Sequence, residues 1–112
     1  MPHGAHLFSL LVFCRKLSNK EMSTMRDLYK QALKVCFHRE LFHTRMEVLD
    51  VTQEEMAQRL CLSCRSYVDL DHGQAACSAV TLALFLVYIC NDPDVFLERL
   101  WHAFETVKST AA

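Results

Sequence analysis

Apolar residues recur along most of this chain at intervals of three and four, the period of an α-helix, and short polar segments interrupt them. From Met25 to His38, Leu28, Ala32, Val35 and Cys36 fall at helical spacing while Lys30 and Lys34 lie on another face. Ser23 and Thr24 stand in front as candidate caps. Arg39 to Leu49 continues helical, with Phe42, Met46 and Leu49 at i, i+4 and i+7. The spacing leaves open whether these form one long helix or bend near His38. Asp50-Val51 breaks the pattern.

Thr52 then reads as an N-cap, with Glu55 three residues later to complete a capping box. The helix from Gln53 to Leu60 places Met56, Ala57 and Leu60 inward. Cys61-Leu62 is a turn, and Ser63 caps a second short helix, Cys64 to His72, that buries Tyr67 and Leu70. Gly73 supplies a left-handed stop. After a loop, Gln74 to Cys77, Ser78 caps an apolar helix from Ala79 to about Cys90, expected to be buried nearly all round. Asp92 and Pro93 open the last helix, which carries Phe96, Leu97, Leu100, Trp101 and Phe104 in two adjacent rows.

These elements predict an all-α fold, a compact bundle of about five helices. Residues 1–21 read as a loosely attached leader or a short extra N-terminal helix near Leu7 to Leu17, with Met22 and Met25 as alternative starts. Residues 22–112 read as a single helical domain. Composition agrees: 52% of residues are apolar, and two Gly and two Pro are too few for a turn-rich β fold.

Net charge is −1, which by itself is not the signature of a nucleic-acid binder. Its distribution is uneven. Arg15 to Glu47 holds eight Lys/Arg and four Asp/Glu, a local +4; Val51 to Asp92 holds two Arg and five acids, a local −3. The six cysteines, at 14, 36, 61, 64, 77 and 90, lie mostly within helical apolar patterns and read as reduced thiols in a cytoplasm. The longest apolar run, Ala79 to Cys90, broken only by Thr81, is too short to span a bilayer. Leu7 to Cys14 resembles the apolar part of a signal peptide, but no Lys or Arg precedes it and no small-x-small site follows, so no secretion is expected.

The residues from Thr52 to Leu82 resemble the Cro/XRE-type, lambda-repressor-like helix-turn-helix domains. Such domains read T-Q-E-E-L-A, then L-G-[IV]-S, then a β-branched core residue, [IL]-E-x-G and, after a loop, P-S-x-x-T-L. This chain gives Thr52-Gln53-Glu54-Glu55-Met56-Ala57, Leu60-Cys61-Leu62-Ser63, Tyr67, Leu70-Asp71, Gly73, and Cys77-Ser78-Ala79-Val80-Thr81-Leu82. The match covers about thirty residues of core and cap positions, so it speaks for fold more than for target. The resemblance implies a cytoplasmic, often dimeric regulator that binds double-stranded DNA in a sequence-specific way, its helix-turn-helix at 52–73. It also implies that Gln53 bonds a DNA phosphate and that Cys64, Arg65, Ser66 and Asp69 face the major groove. Arg65 is the best reader among them, because its guanidinium forks onto guanine O6 and N7.

Three departures qualify this. Cys61 stands where the family has a glycine, so a residue with a side chain must take a positive φ. Asp69 repels phosphates, although it can accept from cytosine N4. The loop Gln74–Cys77 lacks the Lys or Arg that grips the DNA backbone, which would shift that task to Arg26, Lys30, Lys34, Arg39 and Arg45. Helix 1 of the family maps onto 39–50, with room for a one-residue insertion. The alternative expectation is a protein-interaction module on the same fold with weak or no DNA binding.

Other chemistry is thinly represented. Cys61-x-x-Cys64 with His72 and Cys77 lacks the spacing of a common zinc finger, and no metal or cofactor is expected. Cys64, near a helix start, is a candidate redox thiol on that ground alone. Scattered histidines, with no Ser/His/Asp set and no Gly-rich loop, predict no enzyme. Phe96, Leu97, Leu100, Trp101 and Phe104 form either a core-facing row or a homodimer surface, or one of each.

Overall fold

The computed structural model describes residues 17–111, and every regular element among them is helical. Helix α1 spans Asn19–His43 and runs without a break into a π-helical turn, Thr44–Leu49. Two short helices follow, α2 (Gln53–Arg59) and α3 (Cys64–Asp71). Helix α4 (Ala79–Leu84) again ends in a π-helical turn, Phe85–Ile89, and α5 spans Pro93–Ala111. The chain is therefore a five-helix all-α bundle across the described residues. No helix among them is long and apolar enough to cross a membrane. The leader reading falls largely on residues 1–16, which lie outside the described part.

Local chemistry explains most boundaries. Thr52, Ser63 and Ser78 each accept a backbone N–H three residues on, and the Asp92 carboxylate accepts from Val95 N. The first helix differs from expectation. It starts at Asn19, where Ser18 and Glu21 form a full capping box, so Ser23 and Thr24 lie inside it. It continues through His38 as one helix. The π-helical turn absorbs one extra residue, which fits the insertion allowed near 39–50. Asp50 then closes it at φ 52°, a left-handed conformation that Asp tolerates better than most residues.

The buried stripe of α1 also differs. Met25, Phe37, Glu40, Leu41 and Thr44 are buried, whereas Leu28, Phe42 and Met46 are exposed. The true inner face lies about one residue out of phase with the expected one. Apolar residues occur on both stripes, Phe37 on one and Phe42 on the other, and the stripe of Phe37 is the one that meets Phe85 and Phe96 in the core. There Phe37 meets Phe85 edge-on at 5.2 Å between ring centroids, and Phe96 sits 6.1 Å from Phe85 and 6.4 Å from Phe37. Around this triad pack Leu41, Met56, Ala57, Leu60, Tyr67, Leu70 and Ile89.

Helix α5 lies antiparallel along α1: Phe96 meets Phe37, Arg99 pairs with Glu40 at 3.3 Å, and Phe104 meets Tyr29 at 4.8 Å. Phe96 is consequently sealed in the core and cannot serve a dimer surface; Leu100, Trp101 and Phe104 are half-buried, and Leu97 is exposed. The α4 segment is not buried all round. Phe85 and Ile89 point inward, while Val80, Val87 and Tyr88 are exposed by 69%, 69% and 78%. This segment lies at the margin of the bundle with one face packed and the other open.

Candidate nucleic-acid interface

Two short helices are joined here by a turn of very few residues, and the turn has a definite geometry. Cys61 N donates to Gln58 O and Leu62 N to Ala57 O, the paired bonds of a Schellman stop. That stop requires a left-handed residue, and Cys61 takes the role at φ 58°. Helix α3 ends in the same way: Gly73 N bonds Leu70 O and Gln74 N bonds Asp69 O, with Gly73 at φ 72°. A side chain at Gly73 would meet the His38 ring at 3.1 Å. Glycine therefore serves both the backbone conformation and the close approach of α1.

Replacing the exposed Cys61 by glycine is expected to raise stability by about 0.5–1 kcal/mol. Relief of the left-handed strain favours the variant by about 1–2 kcal/mol, and the freer unfolded chain offsets part of that. A urea titration checks this; a lower midpoint at equal slope would contradict it.

Below the outer face of α3 lies a buried polar cluster centred on Asp71, whose side chain is 2% exposed. Tyr67 Oη donates to Oδ1 at 3.0 Å. Arg45 Nη2 and Gln53 Nε2 both donate to Oδ2, at 3.2 and 3.1 Å. His38 Nδ1 lies 3.1 Å from the Asp71 carbonyl, which can only accept, so that nitrogen carries the proton. Burial, and then the adjacent carboxylate, push the Tyr67 hydroxyl well above its ordinary range, so it stays a donor. The cluster ties α2, α3 and the π-helical turn after α1 together at one carboxylate, and His38 of α1 joins through the Asp71 carbonyl.

The residues named from sequence thus have unequal surroundings. Cys64, Arg65 and Ser66 are exposed on the first turn of α3. Ser66 is partly engaged, since the Ser63 hydroxyl reaches its oxygen at 2.9 Å. Asp69 is half-buried, and its carbonyl receives Gln74 N at 2.8 Å. Gln53 is half-buried with its amide nitrogen held by Asp71. Arg45, grouped above with the cations available to grip DNA, is 11% exposed and committed to Asp71. Its guanidinium also sits 5.5 Å from the Phe42 ring centre.

The hub, Asp71, is not among the residues that the sequence singles out. A signal exists: Tyr67, Leu70 and Asp71 share one face of α3, and a carboxylate beside core residues needs a cationic or hydrogen-bonding partner. Five cysteines among the described residues are free thiols; burial raises the pKa of Cys36, Cys77 and Cys90, while Cys61 and Cys64 are exposed. Among the described residues no group of three or more His, Cys, Asp or Glu is placed to hold a metal ion.

The class these observations define is a small all-α bundle with a short helix pair braced from below by a buried carboxylate. No family model, curated protein or solved structure matches the chain.

Proposed function

We propose that this chain binds double-stranded DNA in a sequence-specific way and acts as a cytoplasmic transcriptional regulator, with 52–73 as a helix-turn-helix of the Cro/XRE type. The observation that carries the reading is the exposed first turn of α3, Cys64-Arg65-Ser66, held at a fixed angle to α2 by the Asp71 cluster. A reading helix must be rigid as well as exposed, because base contacts demand a fixed register. In this scheme Arg65 reads a guanine edge, Ser66 and Cys64 flank it, and Asp69 accepts from cytosine. Gln53, oriented by Asp71, lies toward a phosphate at the start of α2.

Arg65→Ala is expected to weaken binding to a selected duplex by about 1–3 kcal/mol and to relax specificity at one base pair. Fluorescence polarisation with selected and random duplexes measures both effects. Equal losses on the two duplexes would assign Arg65 to phosphate rather than base contact.

A second reading is a protein-interaction module on the same bundle, with little or no DNA binding. The exposed Val80, Val87 and Tyr88 on the α4 segment favour it, as does the local −3 charge between Val51 and Asp92. A homodimer belongs to either reading. The two part company in the duplex experiment, since the module predicts no salt-sensitive association with DNA.

A further inference from the structure

An open cleft of about 450 Å³ lies between α1 and the loop that follows α3, lined by Asp27, Lys30, Gln31, Lys34, Gln74 and Ala76. We propose that this cleft seats a phosphate group, and that in the working protein it is a DNA backbone phosphate flanking the bases read by α3. The proposal rests on the DNA reading given above for its source of phosphate.

Four observations support it. Lys30 and Lys34 stand one helical turn apart, so both ammonium groups can reach one anion or two consecutive phosphates. Among the described residues neither lysine is in an ion pair, so the charges are uncommitted. Gln31 and Gln74 bring amide donors to the walls, and Ala76 leaves room between them. The cleft also adjoins the C-terminal end of α3, the end opposite Cys64-Arg65-Ser66. Gly73 packs on His38, and from there Lys34 and Lys30 lie roughly 6 and 12 Å along α1. Asp27, the one acid in the lining, is at the far end of that track.

The placement answers the missing cations of the loop. Gln74-Ala75-Ala76-Cys77 carries no Lys or Arg, yet α1 lays two lysines against it. The long first helix thus supplies from the side the charge that the loop lacks. Arg45 cannot do so, being bound to Asp71.

The test compares wild type with the double variant Lys30→Gln, Lys34→Gln, and with a control, Lys20→Gln, Lys108→Gln, that changes net charge equally away from the cleft. Circular dichroism and urea titration establish that all three fold. Duplex binding is then followed by polarisation across a salt series. The cleft variant is expected to bind on the order of ten- to a hundredfold more weakly at 0.1 M salt, equally on selected and random duplexes. Its log–log salt slope should be shallower by nearly two, about 0.9 for each phosphate left without its lysine.

An unchanged slope in the cleft variant, or an equal change in the control, would overturn the proposal and leave the DNA reading intact. If wild type binds no duplex, the DNA reading and the DNA source of the phosphate fail together, and inorganic phosphate titrated into the labelled protein decides whether the cleft holds phosphate at all. Amide shifts at Lys30, Lys34 and Gln74 that vanish in the double variant would sustain a phosphate site; their absence would overturn it.

Discussion

Asp71→Ala is expected to destabilise the protein by about 3–5 kcal/mol, a large share of what holds a domain of this size together. The loss comes less from the missing attraction than from what is stranded. Arg45 is 11% exposed and would keep a charge with no carboxylate beside it. The Tyr67 hydroxyl and the Gln53 amide would each lose an acceptor. The pair itself adds little net stability, because burying both charges costs most of what their attraction gains. Arg45 Nε even lies buried without a hydrogen-bond partner, as does Thr44 Oγ1. A second variant separates these effects. Asp71→Leu combined with Arg45→Met should recover the part that comes from the unpaired charge, while the Tyr67 hydroxyl and the Gln53 amide still lack this acceptor. Urea unfolding of the single and double variants checks both statements. A loss under about 1 kcal/mol for Asp71→Ala would show that water reaches the cluster and that it does not brace α3.

The next largest effect is expected at Phe85. This ring is fully buried and meets both Phe37 and Phe96, so it joins the α4 segment to α1 and α5 at one point. Phe85→Ala should cost about 3–5 kcal/mol, from the transfer free energy of the ring and from the cavity left behind. Phe85→Leu keeps most of the volume and should cost less. It still gives up two edge-on ring pairings, each worth about 0.5–1.5 kcal/mol. The comparison uses urea midpoints at constant slope. Equal effects of Ala and Leu would mean that the site collapses around the deletion and that the aromatic triad is not the centre of the core.

Much of this architecture is legible in the chain. Thr52, Ser63, Ser78 and Asp92 announce helix starts because a short oxygen-bearing side chain is the nearest partner for an unpaired N–H. Spacing alone places Met56, Ala57, Leu60, Tyr67 and Leu70 inward, and all are buried. The glycine that the resembled domains carry at the turn implies a positive φ for Cys61, and it is there. The misses share a cause, which is that period alone cannot choose between competing phases. Ser23-Thr24 and Ser18 are both plausible caps, and only Ser18 has Glu21 at the right distance to complete its box. Helix α1 carries two apolar stripes, and the π-helical turn at 44–49 shifts the phase again. The α4 segment is apolar all round, yet one face is open, because hydrophobicity does not say how many neighbours a helix has.

For the site, the resemblance implies that Cys64, Arg65, Ser66 and Asp69 face outward; the first three are exposed and Asp69 is half-buried. The cluster around Asp71 is not legible in the chain, because it joins residues 26 and 18 positions apart. Gln53 shows the consequence: expected at a phosphate, it is found turned to a carboxylate. The two roles are compatible if the carboxylate sets the amide's orientation, as the proposed function requires.

The salt dependence of duplex binding by the folded wild-type chain tests the central claim most directly. Polarisation with a labelled duplex is recorded from low to moderate salt, with circular dichroism establishing an intact helical fold throughout. The DNA reading predicts measurable binding at low salt and a straight log–log fall, its slope about 0.9 for every phosphate engaged. Folded protein that binds neither selected nor random duplex at low salt would contradict it.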